Sequence, residues 1–140
     1  MRVVLDPNVL IAAVISPAGV PGDILRAWTE GRFELVVSPM LVGELSDVLA
    51  RPKFRRWVSE EAVVEYVEGL TDAALLTEDP PAEAGLSPDP DDDYLITLAR
   101  TAGADYLVSG DHHLTGLADP VPPILTPCEF LDRLIEERGG

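Results

Sequence analysis

Cysteine is almost missing from this chain: its 140 residues hold one, Cys128. A lone thiol excludes an internal disulfide, so a reducing cytoplasm is the expected compartment and secretion is not expected. Lysine is equally scarce, with Lys53 the only one among 10 bases that face 25 acids, for a formal net charge of −15. That balance excludes a protein that coats nucleic acid by charge alone, because such binding relies on Lys and Arg to neutralise phosphates. It leaves room for an enzyme that meets phosphates through bound cations. A salty cytoplasm or an Arg-favouring, GC-rich genome would each produce such a surface. Long apolar runs are lacking too. No window approaches the roughly 18 apolar residues of a membrane span, so no membrane association is expected. The opening "MRVVLDPNVLIAAVISPAG" is broken early by Asp6 and Pro7, unlike a signal peptide.

What is present is a 46% apolar chain of a length suited to one domain over residues 1–140. Arg2 to Leu5 reads as a buried strand ending at Asp6, followed by a short helix with Pro7 near its start. A helix is expected over Asp23 to Gly31 and a second strand over Glu34 to Val37. Ser38-Pro39 then caps a helix striped by Leu41, Leu45, Val48 and Leu49, which "ARPKF" stops. Ser59 opens a further helix, and "TEDPPAEAGLSPDP" is an acidic, Pro-rich loop. A helix from about Asp92 to Ala102, a strand in "ADYLVSGD", a short turn or helix at "HHLTGL" and a strand near Pro123 to Leu125 follow. Thr126-Pro127-Cys128-Glu129 is a capping box for the last helix. Short apolar strands alternating with helices predict an α/β fold with a mainly parallel sheet covered on both faces.

The acids are not scattered. Four aspartates fall within Asp89 to Asp93, more than one helix N-terminus needs. Asp6 and Asp111 each end a predicted strand, Asp92 and Asp93 begin the helix leading to the third strand, and Glu44 lies early in the helix leaving the second. In open α/β sheets the carboxyl ends of strands form the ligand-binding rim. Carboxylates gathered there without lysines either take up protons or admit a cation, and hard oxygen ligands suit Mg²⁺ or Mn²⁺. Such an ion orients water and offsets charge in phosphoryl transfer. Of Asp92 and Asp93, one caps the helix and the other is free to bind metal; the sequence leaves that choice open.

"VVLDPNVLIAAV", "VSPMLVGELSDVL", "DPDDDYLITLARTAGADYLVSGD" and "ILTPCEFL" together resemble PIN-domain proteins, and within them the branch of VapC-like ribonucleases that serve as toxins of bacterial toxin–antitoxin systems. The likeness runs from Arg2 to Leu131. It implies a Rossmann-like three-layer α/β/α sandwich with a sheet of four to five strands, and metal-dependent endoribonuclease activity on single-stranded RNA. It puts the family's acids on Asp6, Glu44, Asp93 and Asp111, with Asn8 and Ser109 as polar helpers and Asp92 as a direct or water-mediated ligand. It also implies a cognate antitoxin as partner and a tendency to dimerise.

Competing explanations exist for each feature. A PIN-like binding module without turnover would keep the same shape. Phosphatases of the haloacid-dehalogenase kind and phosphoreceiver domains also place acids after strands, but both want a lysine near the later acids, and Lys53 is the only one. The segment "RPKFRRW" concentrates Arg51, Lys53, Arg55 and Arg56 around two aromatics. It suits phosphate contacts with base stacking, or equally a helix C-terminus with favourable cations, Phe54 and Trp57 being expected in the core. Adjacent His112 and His113 read as exposed turn residues, Asp89 and Asp91 as solvated loop acids, and Cys128 as a buried or inert thiol.

Overall fold

In the computed structural model, which describes residues 1–81 and 83–139, β-branched Val3 and Val4 sit in the first strand, β1 (Arg2–Leu5). Successive side chains on a strand point to opposite faces, yet Val3, Val4 and Leu5 are all 0–1% exposed. Both faces of β1 are therefore covered, and the same holds for β2 (Glu34–Val37) through Leu35, Val36 and Val37. Helices α1 (Pro7–Ile15) and α2 (Val20–Thr29) join these strands. The second helix starts earlier than expected, at Val20 rather than Asp23. Gly22 makes this start workable, because a Cβ there would lie 1.9 Å from the Pro17 carbonyl oxygen.

Ser38 accepts a hydrogen bond from the Leu41 N–H and so caps α3 (Pro39–Leu49), as the sequence indicates. A 3-10 turn over Pro52–Arg56 leads to α4 (Glu60–Ala73), which Ser59 caps through the Ala62 N–H. A two-residue strand with little trace in the sequence, β3 (Leu75–Leu76), adds to the edge of the sheet beside β2. The acidic loop then runs to a 3-10 turn over Pro90–Asp92; its Ala82 lies outside the described residues. Next come α5 (Asp93–Thr101), β4 (Tyr106–Val108), α6 (His112–Thr115), β5 (Ile124–Leu125) and α7 (Pro127–Gly139).

The five strands form one parallel sheet in the order β3-β2-β1-β4-β5. The α/β layering predicted from the alternating strands and helices is thus the observed one. Helix α5 packs on β1 and β4, while α1, α3 and α4 pack in sequence against one another. From β1 the chain adds β2 and β3 on one side, then returns to add β4 and β5 on the other. This reversal opens a crevice between the carboxyl ends of β1 and β4, the place where such sheets bind ligands.

Candidate metal centre

Asp6 stands at that crevice, immediately after β1, and is 3% exposed. Its backbone N–H donates to the Val108 carbonyl of β4 at 2.9 Å, which ties the two strand ends together. Its carboxylate caps α1, accepting from the Asn8 N–H at 2.9 Å, and its other oxygen accepts from the Ser109 hydroxyl at 2.8 Å. Ser109 Oγ in turn accepts from the Asp111 N–H at 3.0 Å, so one chain of hydrogen bonds links both strand ends. Burial still pushes the Asp6 carboxyl above its ordinary pKa, with the Asp111 charge adding to the effect and the two donors opposing it.

Asp111 caps α6 by accepting from the His113 N–H at 2.9 Å, and that bond leads in holding its carboxyl below the usual range. Asp92 faces Asp111 from the 3-10 turn before α5. Burial first, then its hydrogen bond to Asp111 and the charges of Asp111, Asp6 and Asp89, push Asp92 up to about 7. Of this pair, Asp92 is the more readily protonated and Asp111 the more acidic. Glu44, on an exposed face of α3, is also raised: partial desolvation leads, followed by the charges of Asp6 and Asp91. Four segments distant in sequence thus bring Asp6, Glu44, Asp92 and Asp111 into one electrostatic neighbourhood.

Asp93 departs from that expectation. It is 7% exposed and its carboxylate is turned to the preceding loop, accepting from the Gly85 N–H at 3.2 Å, the Ser87 N–H at 2.8 Å and the Ser87 hydroxyl at 2.8 Å. Neighbouring residues at a helix start project in different directions, and the loop over Gly85–Ser87 takes this one. The Asn8 side chain is exposed, and its contribution to Asp6 is made by its backbone.

Several residues near the acids went unnoticed in the sequence. Among the described residues, four buried side-chain polar atoms lack a hydrogen bond: Asp92 Oδ2, Asp79 Oδ1, Tyr94 Oη and Arg55 Nε. Native structures leave few such atoms, and three of these four surround the acids. Tyr94 lies among Glu44, Asp6, Asp79 and Asp92, whose charges add to burial in raising its pKa. Asp79 accepts from the Met40 N–H at the start of α3 at 2.8 Å. Asp89, Asp92 and His113 offer ligand atoms that all lie within 4.8 Å of one another. His113 had read as a plain turn residue; the signal in its favour was its position two residues after Asp111, where the cap folds it back.

Unsatisfied carboxylate oxygens and one imidazole make a donor set that suits a divalent cation with strong oxygen preference. The residues present fit such an ion.

Away from the crevice, Arg55 donates to the Leu49 carbonyl at the end of α3, Arg56 lies 4.8 Å from the Trp57 ring and Lys53 5.1 Å from the Phe54 ring. Phe54 is buried as expected, whereas Trp57 is 50% exposed rather than in the core. Cys128 is exposed, not buried. No single helix among the described residues is long and apolar enough to cross a membrane.

Comparison with known proteins places these features. The sequence model of the PIN domain matches residues 2–113. An uncharacterized protein of Methanocaldococcus jannaschii, MJ1680, is 28% identical over 120 residues, covering 85% of this chain and 76% of that one. Among solved structures, PAE2754 from Pyrobaculum aerophilum superposes with a TM-score of 0.66 at 17% identity, over 97% of this chain and 90% of its own. VapBC2 from Rickettsia felis, solved bound to a DNA fragment from its promoter, gives 0.60 at 13% identity, over 89% and 97%. These two likenesses are of fold. Since the family's sequence pattern extends over most of its length, this chain belongs to the PIN domain family.

Proposed function

We propose that this protein is a Mg²⁺- or Mn²⁺-dependent endoribonuclease that cuts single-stranded RNA, acting in the cytoplasm as the toxin of a toxin–antitoxin pair. The observation that carries the proposal is buried Asp6 linked through Ser109 to Asp111, beside an Asp92 whose Oδ2 is enclosed without a partner. Carboxyls this crowded hold a proton only until a divalent ion replaces it.

Asp6, Asp92 and Asp111 would hold the ion, with Glu44 on the α3 side and Asp89 and His113 at the outer edge. When bound, the ion supplies a polarised water and offsets charge on the phosphate. Ser109 keeps Asp6 oriented by donating to one of its oxygens. Tyr94 presents a hydroxyl donor amid groups that otherwise only accept, which equips it to orient Glu44 or a phosphate oxygen. The side chain of Asp93 would act by fixing the loop over Gly85–Ser87 that borders the site.

Support for a protein partner comes from the VapBC2 likeness and from an apolar cavity of about 840 Å³ between α2, α4 and the β2–β3 edge, lined by Leu25, Trp28, Phe33, Leu70 and Leu75 among others. A partner's apolar segment would find its complement there, and self-association would register in light scattering of the purified chain.

The test is cleavage of a mixed single-stranded RNA pool with Mn²⁺ or Mg²⁺. Wild type is expected to cut, and chelation or Asp6→Asn to lower the rate about 100-fold or more. Cation binding without cleavage would instead favour a binding module that has kept the site and lost turnover.

A further inference from the structure

We propose that the segment Arg51–Trp57 is a docking surface for single-stranded RNA, with Trp57 stacking a base and Arg51, Lys53 and Arg56 meeting the backbone of the strand that leaves the acid cluster along α3. This extends the endoribonuclease reading by assigning a path to its substrate.

The first argument is position. Met40, Glu44 and Asp47 are exposed on one stripe of α3, and exposed Arg51 follows just past the end of the helix at Leu49. That stripe begins beside Asp79, passes Glu44 and ends at the basic segment. Glu44 to the end of α3 at Leu49 is about 8 Å along the helix axis, short enough for a neighbouring nucleotide to reach the basic segment beyond it.

The second is charge. The chain carries 25 acids against 10 bases, and four of those bases fall within Arg51 to Arg56. Among the described residues Arg2, Arg26 and Arg100 make ion pairs with carboxylates, while none of these four does. A helix C-terminus calls for a cation, but Arg55 meets that need alone: its guanidinium donates to the Leu49 carbonyl and its Nε is enclosed. Arg51, Lys53 and Arg56 make no ion pair among the described residues; Lys53 and Arg56 rest on the Phe54 and Trp57 rings, which leaves their charges without a carboxylate partner.

The third is the ring. Trp57 is half exposed, and its inner side is fixed by buried Phe54, whose centroid lies 6.2 Å away. The Arg56 guanidinium lies over the ring, 4.8 Å from its centroid, so a base stacking on that face would take its place and leave the cation for the adjoining phosphate. A half-exposed aromatic ring with cations against it is an arrangement that binds unpaired bases without sequence preference.

The experiment uses the full chain with labelled oligo-uridylate in Ca²⁺, following fluorescence anisotropy and tryptophan emission. RNA is expected to quench the wild-type emission, and Trp57→Ala, which retains Trp28, is expected to lose that quench and about 10-fold in affinity. Trp57→Phe should recover part of the affinity, since a phenyl ring still stacks. The Lys53→Ala/Arg56→Ala variant should reduce the slope of log affinity against log salt by about 1 to 2. Wild-type affinity and quenching in Trp57→Ala overturn the proposal, as does a change only in oligomeric state, which would make the surface a protein contact. Failure of wild type to bind the RNA at all overturns it as well. Binding that needs Trp57 in a protein that never cleaves would remove the nuclease reading and leave this surface standing.

Discussion

At the scale of single residues, Asp92 and Asp93 stand side by side at the start of α5 and do different work. Asp93 has three donors on its carboxylate, whereas Asp92 has one oxygen enclosed without a partner. Asp92→Asn is therefore expected to weaken Mn²⁺ binding by an order of magnitude or more in calorimetry while leaving the folded state intact. Asp93→Ala is expected to lower stability by about 2 kcal/mol in urea titration, because it strands the Gly85 and Ser87 donors. Equal loss of metal affinity in both variants, with no stability difference, would reject this division. Ser109→Ala tests the link between strands: deleting a buried donor to Asp6 is expected to cost about 1–3 kcal/mol. Which aspartate faces the cluster was not legible in the sequence, since adjacent helix positions are told apart only by the loop that folds over one of them.

At the scale of elements, capping decides where helices begin, and these starts were the most legible part of the chain. Ser38, Ser59 and the Thr126/Glu129 box were each marked by sequence, and each makes the expected bond. Replacing Thr126 by Ala should cost about 1 kcal/mol, readable as a lowered urea midpoint. The strands β1 and β2 were equally plain from their β-branched runs. Strand β3 was not, because two exposed leucines at a sheet edge carry no periodic signal. The candidate site acids Asp6 and Asp111 were visible because each stands at the end of a readable strand. Asp79, Tyr94 and His113 were not: a loop, a helix turn and a cap bring them in from different parts of the chain.

At the scale of the whole molecule, a net charge of −15 and a crowded acid site make stability depend on pH and on cations. In the folded state Asp6 is raised and Asp92 titrates near 7 against an ordinary 3.8. The folded protein thus holds protons that the unfolded chain releases between those values, so metal-free stability falls as pH rises through that window and levels off above it. Thermal melting in chelator should give a lower midpoint at pH 8 than at pH 5. Added Mg²⁺ or Mn²⁺ should raise the midpoint at pH 8 and do little at pH 5, where protons already occupy the site. A cation effect independent of pH would indicate general screening instead of a bound ion.

The sheet order β3-β2-β1-β4-β5 gathers these effects at one crevice, and the decisive measurement lies there. Purified wild type and Asp6→Asn, both shown to be folded, are incubated with a mixed single-stranded RNA pool in Mn²⁺ and in chelator. The account predicts cleavage by wild type in Mn²⁺ alone, with Asp6→Asn slower by about 100-fold or more. Cleavage that persists equally in chelator and in Asp6→Asn would contradict it.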